Sequence, residues 1–125
     1  MVAVLPPLLS DQPPEVPQRA GLGDRFRYFR GLSGRRYLFT AVAGEDLRDF
    51  TGAVVLAART APTGRLAAFA MAAIDDAGRM DARDRRLVLS AGAIVLVHLL
   101  AESEAERRAL LADLAQPAST TAIAA

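Results

Sequence analysis

Two neighbouring segments of the chain are apolar at almost every position, and this feature constrains the fold more than any other. In residues 53–59, Leu56 lies on one face of a strand and Val55 on the other, and the positions around them are also apolar. Residues 65–74 repeat the pattern after a short connection that holds proline and glycine. A strand with one solvated face alternates apolar and polar residues. The two segments therefore predict a strand pair that is covered on both faces.

Turn and cap residues predict three further strands and two helices. Gly31 and Gly34 enclose a four-residue loop that is typical of a hairpin. Asp81 is suited to cap a first helix, and Ser103 with Glu106 forms the Ser-x-x-Glu capping box of a second. The predicted strands are residues 25–30, 36–42 and 94 to 99 or 100, and the predicted helices are residues 82–91 and 104–115.

This order of elements predicts an α+β domain at residues 24–116 with a mixed five-stranded sheet. Four strands form an antiparallel meander, and a helix–strand–helix unit follows. Because a strand–helix–strand connection favours a right-handed crossover, we expect the fifth strand to lie parallel to an earlier one. Residues 1–23 hold five of the seven prolines and predict a disordered, Pro-rich flexible arm. Residues 117–125 predict a flexible tail.

The doubly apolar strands also bear on function, because their two faces need cover. Two helices of about ten residues can cover one face of a five-stranded sheet but hardly two. The remaining face then needs the N-terminal arm, a second copy of the chain or another protein. The alternative is that Ala-rich faces need little cover, since Ala is small.

Composition excludes several classes of chemistry. The absence of cysteine removes disulfide frameworks, thiolate zinc sites, iron–sulfur clusters and cysteine catalysis. All 15 basic residues are Arg, so lysine-based catalysis and Schiff-base cofactors are excluded as well. A net charge of +1 argues against a globally basic protein that wraps nucleic acid. The absence of Lys and Asn is explained first by a GC-rich bacterial genome, not by selection for Arg.

The remaining polar residues show no catalytic or metal-binding motif. None of the serines lies in Gly-x-Ser-x-Gly, and Ser33, the nearest match, lies in a hairpin loop. We interpret the single histidine, His98, as a packed residue, with a catalytic or ligand-binding role as the alternative. A group of aspartates lacks the spacing of a calcium loop and is interleaved with Arg; its members are Asp75, Asp76, Asp81 and Asp84. We therefore expect no enzyme activity, no metal and no cofactor.

Arginine and aromatic residues are concentrated in the predicted hairpin at residues 25–39, which holds five of the 15 Arg and five of the seven aromatic residues. On a sheet, this combination stacks bases and neutralises phosphates, and it suits an acidic protein surface equally well. The alternative is that aromatic residues favour strands and that outward Arg side chains protect a sheet edge. The candidate binding residues are Arg25, Arg27, Tyr28, Arg30, Arg35, Arg36 and Tyr37.

Taken together, these features predict a small, non-catalytic interaction or accessory subunit. It is expected to self-associate as a homo-oligomer or to dock on a larger protein assembly, through an apolar sheet face and the Arg/aromatic hairpin. A nucleic-acid-binding module that uses the same hairpin is the alternative. The longest apolar run, residues 87–101, is shorter than the roughly 20 residues of a membrane span, and no secretory signal is recognised. We therefore expect a cytoplasmic protein with no membrane partner.

Overall fold

The structure, a computed structural model, describes residues 3–10 and 25–124, with side chains described at 9–10 and 25–115. Within these residues the chain forms six strands, two α-helices and one 3-10 helix. The strands are β1 (Ala3–Leu9), β2 (Phe26–Arg30), β3 (Arg36–Val42), β4 (Ala53–Thr60), β5 (Leu66–Ile74) and β6 (Ile94–His98). The 3-10 helix spans Gly44–Asp49, and the α-helices are α1 (Ala82–Val88) and α2 (Glu104–Ala124). The predicted α+β class and the strands between residues 25 and 99 are confirmed.

The strands form one sheet in the order β1-β5-β4-β6-β3-β2, and every pairing is antiparallel. The predicted mixed sheet is therefore wrong. Strands β5 and β6 do run in the same direction, as a crossover requires, but β4 lies between them and is antiparallel to both. The predicted meander is also wrong at one step, because β6 inserts between β3 and β4. A crossover dictates only the direction of a strand, not its neighbours.

Local capping sets where the two helices begin. The side chain of Asp81 accepts hydrogen bonds from the backbone N–H groups of Arg83 (2.8 Å) and Asp84 (3.4 Å) at the start of α1. At the start of α2, Ser103 Oγ accepts from the backbone N–H of Glu106 at 3.1 Å. Such caps satisfy N–H groups that have no partner inside the helix. The structure ends α1 at Val88 and extends α2 to Ala124, so α1 is shorter and α2 longer than predicted.

Each face of the sheet carries its own apolar cluster. On the first face, Leu56 of β4 and Leu96 of β6 pack with Leu110 and Leu114 of α2. On the second face, Val55 and other residues pack with α1 and the 3-10 helix, through Val88 and Leu47. The expectation that two helices could cover only one face is thus wrong. The two helices lie on opposite faces, and small Ala side chains reduce the apolar area that each must cover.

Ser10 joins the two edges of the sheet. It follows β1, forms an isolated antiparallel bridge with Phe29 of β2 and is fully buried. Its backbone N–H donates to the carbonyl oxygen of Leu66 at 2.8 Å, and its Oγ accepts from the N–H of Leu66 at 2.8 Å. Because β1 and β2 are the outermost strands, this contact means that the sheet curls until its edges meet.

The predicted disordered arm includes residues that belong to this sheet. Residues Ala3–Leu9 form β1 and pair with β5 in an antiparallel ladder with an irregularity between Val4 and Leu8. Two consecutive prolines lie at that irregularity, which fits their place at a sheet edge, where a strand can lack N–H donors. The rest of the predicted arm, from residue 11 to residue 23, lies outside the described residues.

Candidate functional site

The β2–β3 hairpin has one buried and one exposed face. Along β2, Arg27 and Phe29 are buried, whereas Phe26, Tyr28 and Arg30 are exposed. The buried face contributes Phe29 to the apolar cluster that also holds Leu110 of α2. The opposite face is covered by α1 farther across the sheet, but not over β2. This hairpin is therefore the place where the second face of the sheet meets solvent.

The candidate residues divide between these two faces and the loop. Arg25, Arg30, Arg35 and Arg36 are exposed, and Tyr28 is 41% exposed. Arg27 is only 8% exposed, and one of its guanidinium nitrogens donates to the carbonyl oxygen of Phe26 at 3.1 Å. Tyr37 is 9% exposed and lies in the core. The structure thus brings Tyr28, Arg30 and Arg36 together on one surface but places Arg27 and Tyr37 behind it.

Two stacking contacts organise the exposed guanidinium groups. Arg36 lies over the ring of Tyr28, 4.2 Å from its centroid, and Arg35 lies 5.5 Å from the centroid of Tyr37. Cation–π contacts of this kind stabilise by roughly 0.5–1 kcal/mol at exposed positions. The register supports the first contact, because Arg30 is directly opposite Arg36 and Tyr28 is opposite Leu38. Arg36 thereby covers one face of the Tyr28 ring.

Apolar side chains continue this surface beyond the hairpin. Phe26 and Tyr28 are 40% and 41% exposed, and Leu100, which follows β6, is 69% exposed. Leu100 lines the same cavity as Tyr28 and Leu38. We name this region the outer surface: Phe26, Tyr28, Arg30, Arg36, Leu38 and Leu100. Sequence reasoning missed Leu100 because the pattern predicts that it ends a buried strand. Its position two residues before Glu102 and the α2 cap was the available signal.

Asp113 of α2 holds the hairpin loop. Its carboxylate accepts hydrogen bonds from the Ser33 N–H (2.8 Å), the Ser33 hydroxyl (2.6 Å) and the Tyr37 hydroxyl (2.8 Å). Its backbone carbonyl accepts from the N–H of Leu32 at 3.0 Å. A Cβ atom at Gly31 would clash with the Asp113 carboxylate, so only glycine allows this close approach. Ser33, the nearest match to a catalytic serine, is a hydrogen-bond partner of Asp113.

The same contacts shift the ionisation of both partners. Burial raises the pKa of the Tyr37 hydroxyl above its usual value, and the neighbouring Asp113 carboxylate raises it further. For Asp113, partial burial favours the neutral acid, but the hydrogen bonds from Ser33 and Tyr37 and the charge of Arg35 outweigh it. The net result is that the pKa of Asp113 lies below its usual value. A charged Asp113 and a neutral Tyr37 therefore belong to the folded state.

A cavity of about 590 Å³ opens where the β3–β6 ladder ends. The last described pair of that ladder is Thr40 with Val97, and the first half of β3 extends past it. The cavity is lined by Tyr28, Arg35, Arg36, Tyr37, Leu38, His98, Leu100, Ala101, Glu106, Ala109 and Leu110. Exposed Arg35 and Arg36 lie at its mouth, whereas buried His98 and Leu110 lie at its base. We name it the end cavity.

His98 is packed, as the sequence suggested, but it also faces the end cavity. It is 5% exposed, and its ring contacts the rings of Tyr37 (centroids 5.9 Å apart) and Phe39 (5.4 Å). Nδ1 lies 2.8 Å from the carbonyl oxygen of Leu38. Because a carbonyl oxygen only accepts, Nδ1 carries the hydrogen. Nε2 hydrogen-bonds to no described residue, and in the neutral ring it is an acceptor.

The described residues hold neither a membrane-spanning helix nor a cluster of metal-ligating side chains. Within residues 3–10 and 25–124, no helix is long and apolar enough to cross a membrane. The side chains described there include no group of three or more His, Asp or Glu residues arranged to hold a metal ion. Comparison with known proteins gives no assignment: no family model matches the chain, and neither a curated protein nor a solved structure shows significant similarity to it.

Proposed function

We propose that the protein is an interaction module that docks on another protein through its outer surface. The observation that supports this is the exposure of Phe26, Tyr28 and Leu100 beside Arg30 and Arg36, in a sheet whose central strands β4 and β6 are largely buried on both faces. Interfaces are enriched in aromatic residues and Arg, because both combine apolar contact area with polar groups. The apolar side chains of β4 and β5, in contrast, pack mostly within the chain, in the two apolar clusters.

The chemistry of the outer surface favours an acidic partner with apolar side chains of its own. Arg30 and Arg36 supply positive charge, and the rings of Phe26 and Tyr28 supply apolar area. A two-fold symmetric dimer through this surface would place each Arg pair near its counterpart in the other copy. Like charges in an interface oppose association. A different, acidic protein is therefore the preferred partner, and self-association becomes an outcome of the test.

Binding of nucleic acid has less support from the positions of the aromatic rings than it had from the composition of the hairpin. Single-stranded nucleic acid binds by stacking its bases on exposed aromatic rings. Tyr37 is buried and hydrogen-bonded to Asp113, and one face of Tyr28 is occupied by Arg36. Fewer aromatic faces remain for bases than the hairpin composition predicted, whereas the charged and apolar groups needed for a protein contact are all exposed.

A fluorescein-labelled synthetic peptide in which Asp and Glu alternate with Leu and Phe provides a defined acidic partner. We expect fluorescence anisotropy to show binding that weakens with added salt, because part of the affinity is electrostatic. A fluorescein-labelled oligo(dT) serves as the nucleic-acid arm. Light scattering coupled to size-exclusion chromatography, with the peptide absent, is expected to show a monomer.

Matched variants locate the contact. The double variant Arg30→Glu, Arg36→Glu is expected to weaken peptide binding about tenfold or more, and Tyr28→Ala severalfold. The control Arg83→Glu, Arg86→Glu makes the same charge change on the exposed side of α1 and is expected to weaken binding far less. Equal losses in both double variants would overturn the docking proposal, as would tighter binding to oligo(dT) than to the peptide, or a stable dimer that Tyr28→Ala dissociates.

A further inference from the structure

We propose that the end cavity is a binding site for a small organic acid with a carboxylate at one end, an apolar body and a hydroxyl group at the other. The end cavity shares Tyr28, Arg36, Leu38 and Leu100 with the outer surface. The inference does not rest on the docking function, because its central residue, His98, is not part of the outer surface and its tests use small molecules. The volume of about 590 Å³ falls within the range of about 300–1,000 Å³ that small-molecule sites occupy.

The charge at the mouth selects an anion. Arg35 and Arg36 are exposed there, and their guanidinium groups are suited to a carboxylate. Glu106 is the acid in the lining, and one of its carboxylate oxygens already accepts a hydrogen bond from the N–H of Glu102 at 2.9 Å. Among the charged side chains of the lining, two guanidinium groups stand against one carboxylate, and the nearby Asp113 carboxylate is hydrogen-bonded to Ser33 and Tyr37.

The walls below the mouth select an apolar body. Leu38, Leu100, Ala101, Ala109 and Leu110 contribute aliphatic surface to the lining. Such sites combine mostly apolar walls with a few convergent polar groups. An aromatic ring or a short hydrocarbon chain fits this composition.

The histidine at the base selects a hydrogen-bond donor. The bond from Nδ1 to the carbonyl of Leu38 orients the ring and places the hydrogen on Nδ1. Nε2 is then an acceptor that has no partner among the described residues, in a side chain that is 95% buried (5% exposed). Because His98 lines the cavity, a ligand hydroxyl in the cavity can donate a hydrogen bond to Nε2.

Three small aromatic probes separate the two polar contacts: para-hydroxybenzoate, benzoate and para-hydroxybenzamide. We expect para-hydroxybenzoate to bind most tightly in ligand-observed NMR titrations. Benzoate lacks the hydroxyl donor and is expected to bind about three- to tenfold more weakly, the range of one net hydrogen bond. The benzamide lacks the negative charge and is expected to bind about tenfold more weakly.

Two substitutions of His98 test its role and keep folding separate from binding. In His98→Asn the amide nitrogen lies near the position of Nδ1, so the bond to Leu38 can persist while the acceptor at Nε2 is lost. We expect this variant to bind benzoate and para-hydroxybenzoate equally. In His98→Gln the amide reaches the position of Nε2, so the preference for the hydroxyl should remain even if the melting temperature falls.

Arg35→Leu with Arg36→Leu is expected to abolish the preference for the acid over the amide, whereas Arg83→Leu with Arg86→Leu should preserve it. The proposal is overturned if His98→Asn still prefers the hydroxylated acid, if the amide binds as well as the acid, or if none of the probes binds below about 10 mM. None of these outcomes depends on the acidic peptide, so the site and the docking function fail or stand separately.

Discussion

Strands β4 and β2 belong to the same sheet but meet different surroundings. All positions of β4 from Ala53 to Ala58 are buried, because α2 covers one face and α1 with the 3-10 helix covers the other. Strand β2 alternates between exposed and buried positions, since α2 covers only its inner face. The difference shows that apolar sequence on both faces indicates the centre of the fold, whereas alternation indicates the place where the fold can meet a partner.

The position of each strand in the sheet explains the contrast. The central strand β4 has β5 and β6 as neighbours, whereas β2 is an edge strand that the opposite edge contacts at one bridge, from Ser10 to Phe29. The short helix α1 reaches β4 and β5 but does not extend over β2. The exposed aromatic and Arg side chains therefore lie on the part of the sheet that α1 does not cover.

The largest expected effect tests the difference in burial. Leu56→Ala in β4 removes a fully buried side chain and is expected to lower the free energy of unfolding by about 2–5 kcal/mol. Tyr28→Ala in β2 removes a side chain that is 41% exposed and is expected to cost less than about 1 kcal/mol. Urea unfolding followed by circular dichroism measures both. Equal losses would mean that the outer surface is part of the core and would contradict the comparison.

A smaller effect tests how the hairpin is held from its inner side. Gly31→Ala places a Cβ against the Asp113 carboxylate and is expected to destabilise the protein by about 1–3 kcal/mol. The backbone of Gly31 needs no positive φ, so the cost comes from the contact. In an Asp113→Ala background the same change should cost much less. A double-mutant cycle in urea measures this coupling, and simple additivity of the two changes would contradict the proposed contact.

The smallest effect is a dependence of stability on pH. The lowered pKa of Asp113 means that its contribution is present above the unfolded value of about 4 and is lost as the pH falls through the folded value. The raised pKa of Tyr37 means that its contribution is present below about pH 10 and is lost as the pH rises further. Asp113→Asn should flatten the acid side of the stability curve, and Tyr37→Phe the alkaline side. Thermal melts across this range measure both, and curves parallel to the wild type would contradict the prediction.

The candidate site was only partly predictable for reasons of geometry. Concentration of Arg and aromatic residues in one hairpin identified the region, and alternation could have shown that Arg27 shares a face with buried Phe29. No local pattern could predict the hydrogen bond between Ser33 and Asp113, because the two residues are 80 positions apart in the chain. The end cavity has the same origin, because its walls come from β3, from the residues after β6 and from α2.

The sequence alone determined the strands between residues 25 and 99, the caps at Asp81 and Ser103, and the need to cover both faces of β4 and β5. These features depend on side-chain alternation and on hydrogen bonds between residues a few positions apart. Only the tertiary structure decided that β6 lies between β3 and β4, that the helices take opposite faces, and that His98 faces a cavity. Those outcomes depend on contacts between distant segments, whose free energy is gained only when the whole sheet packs against its helices.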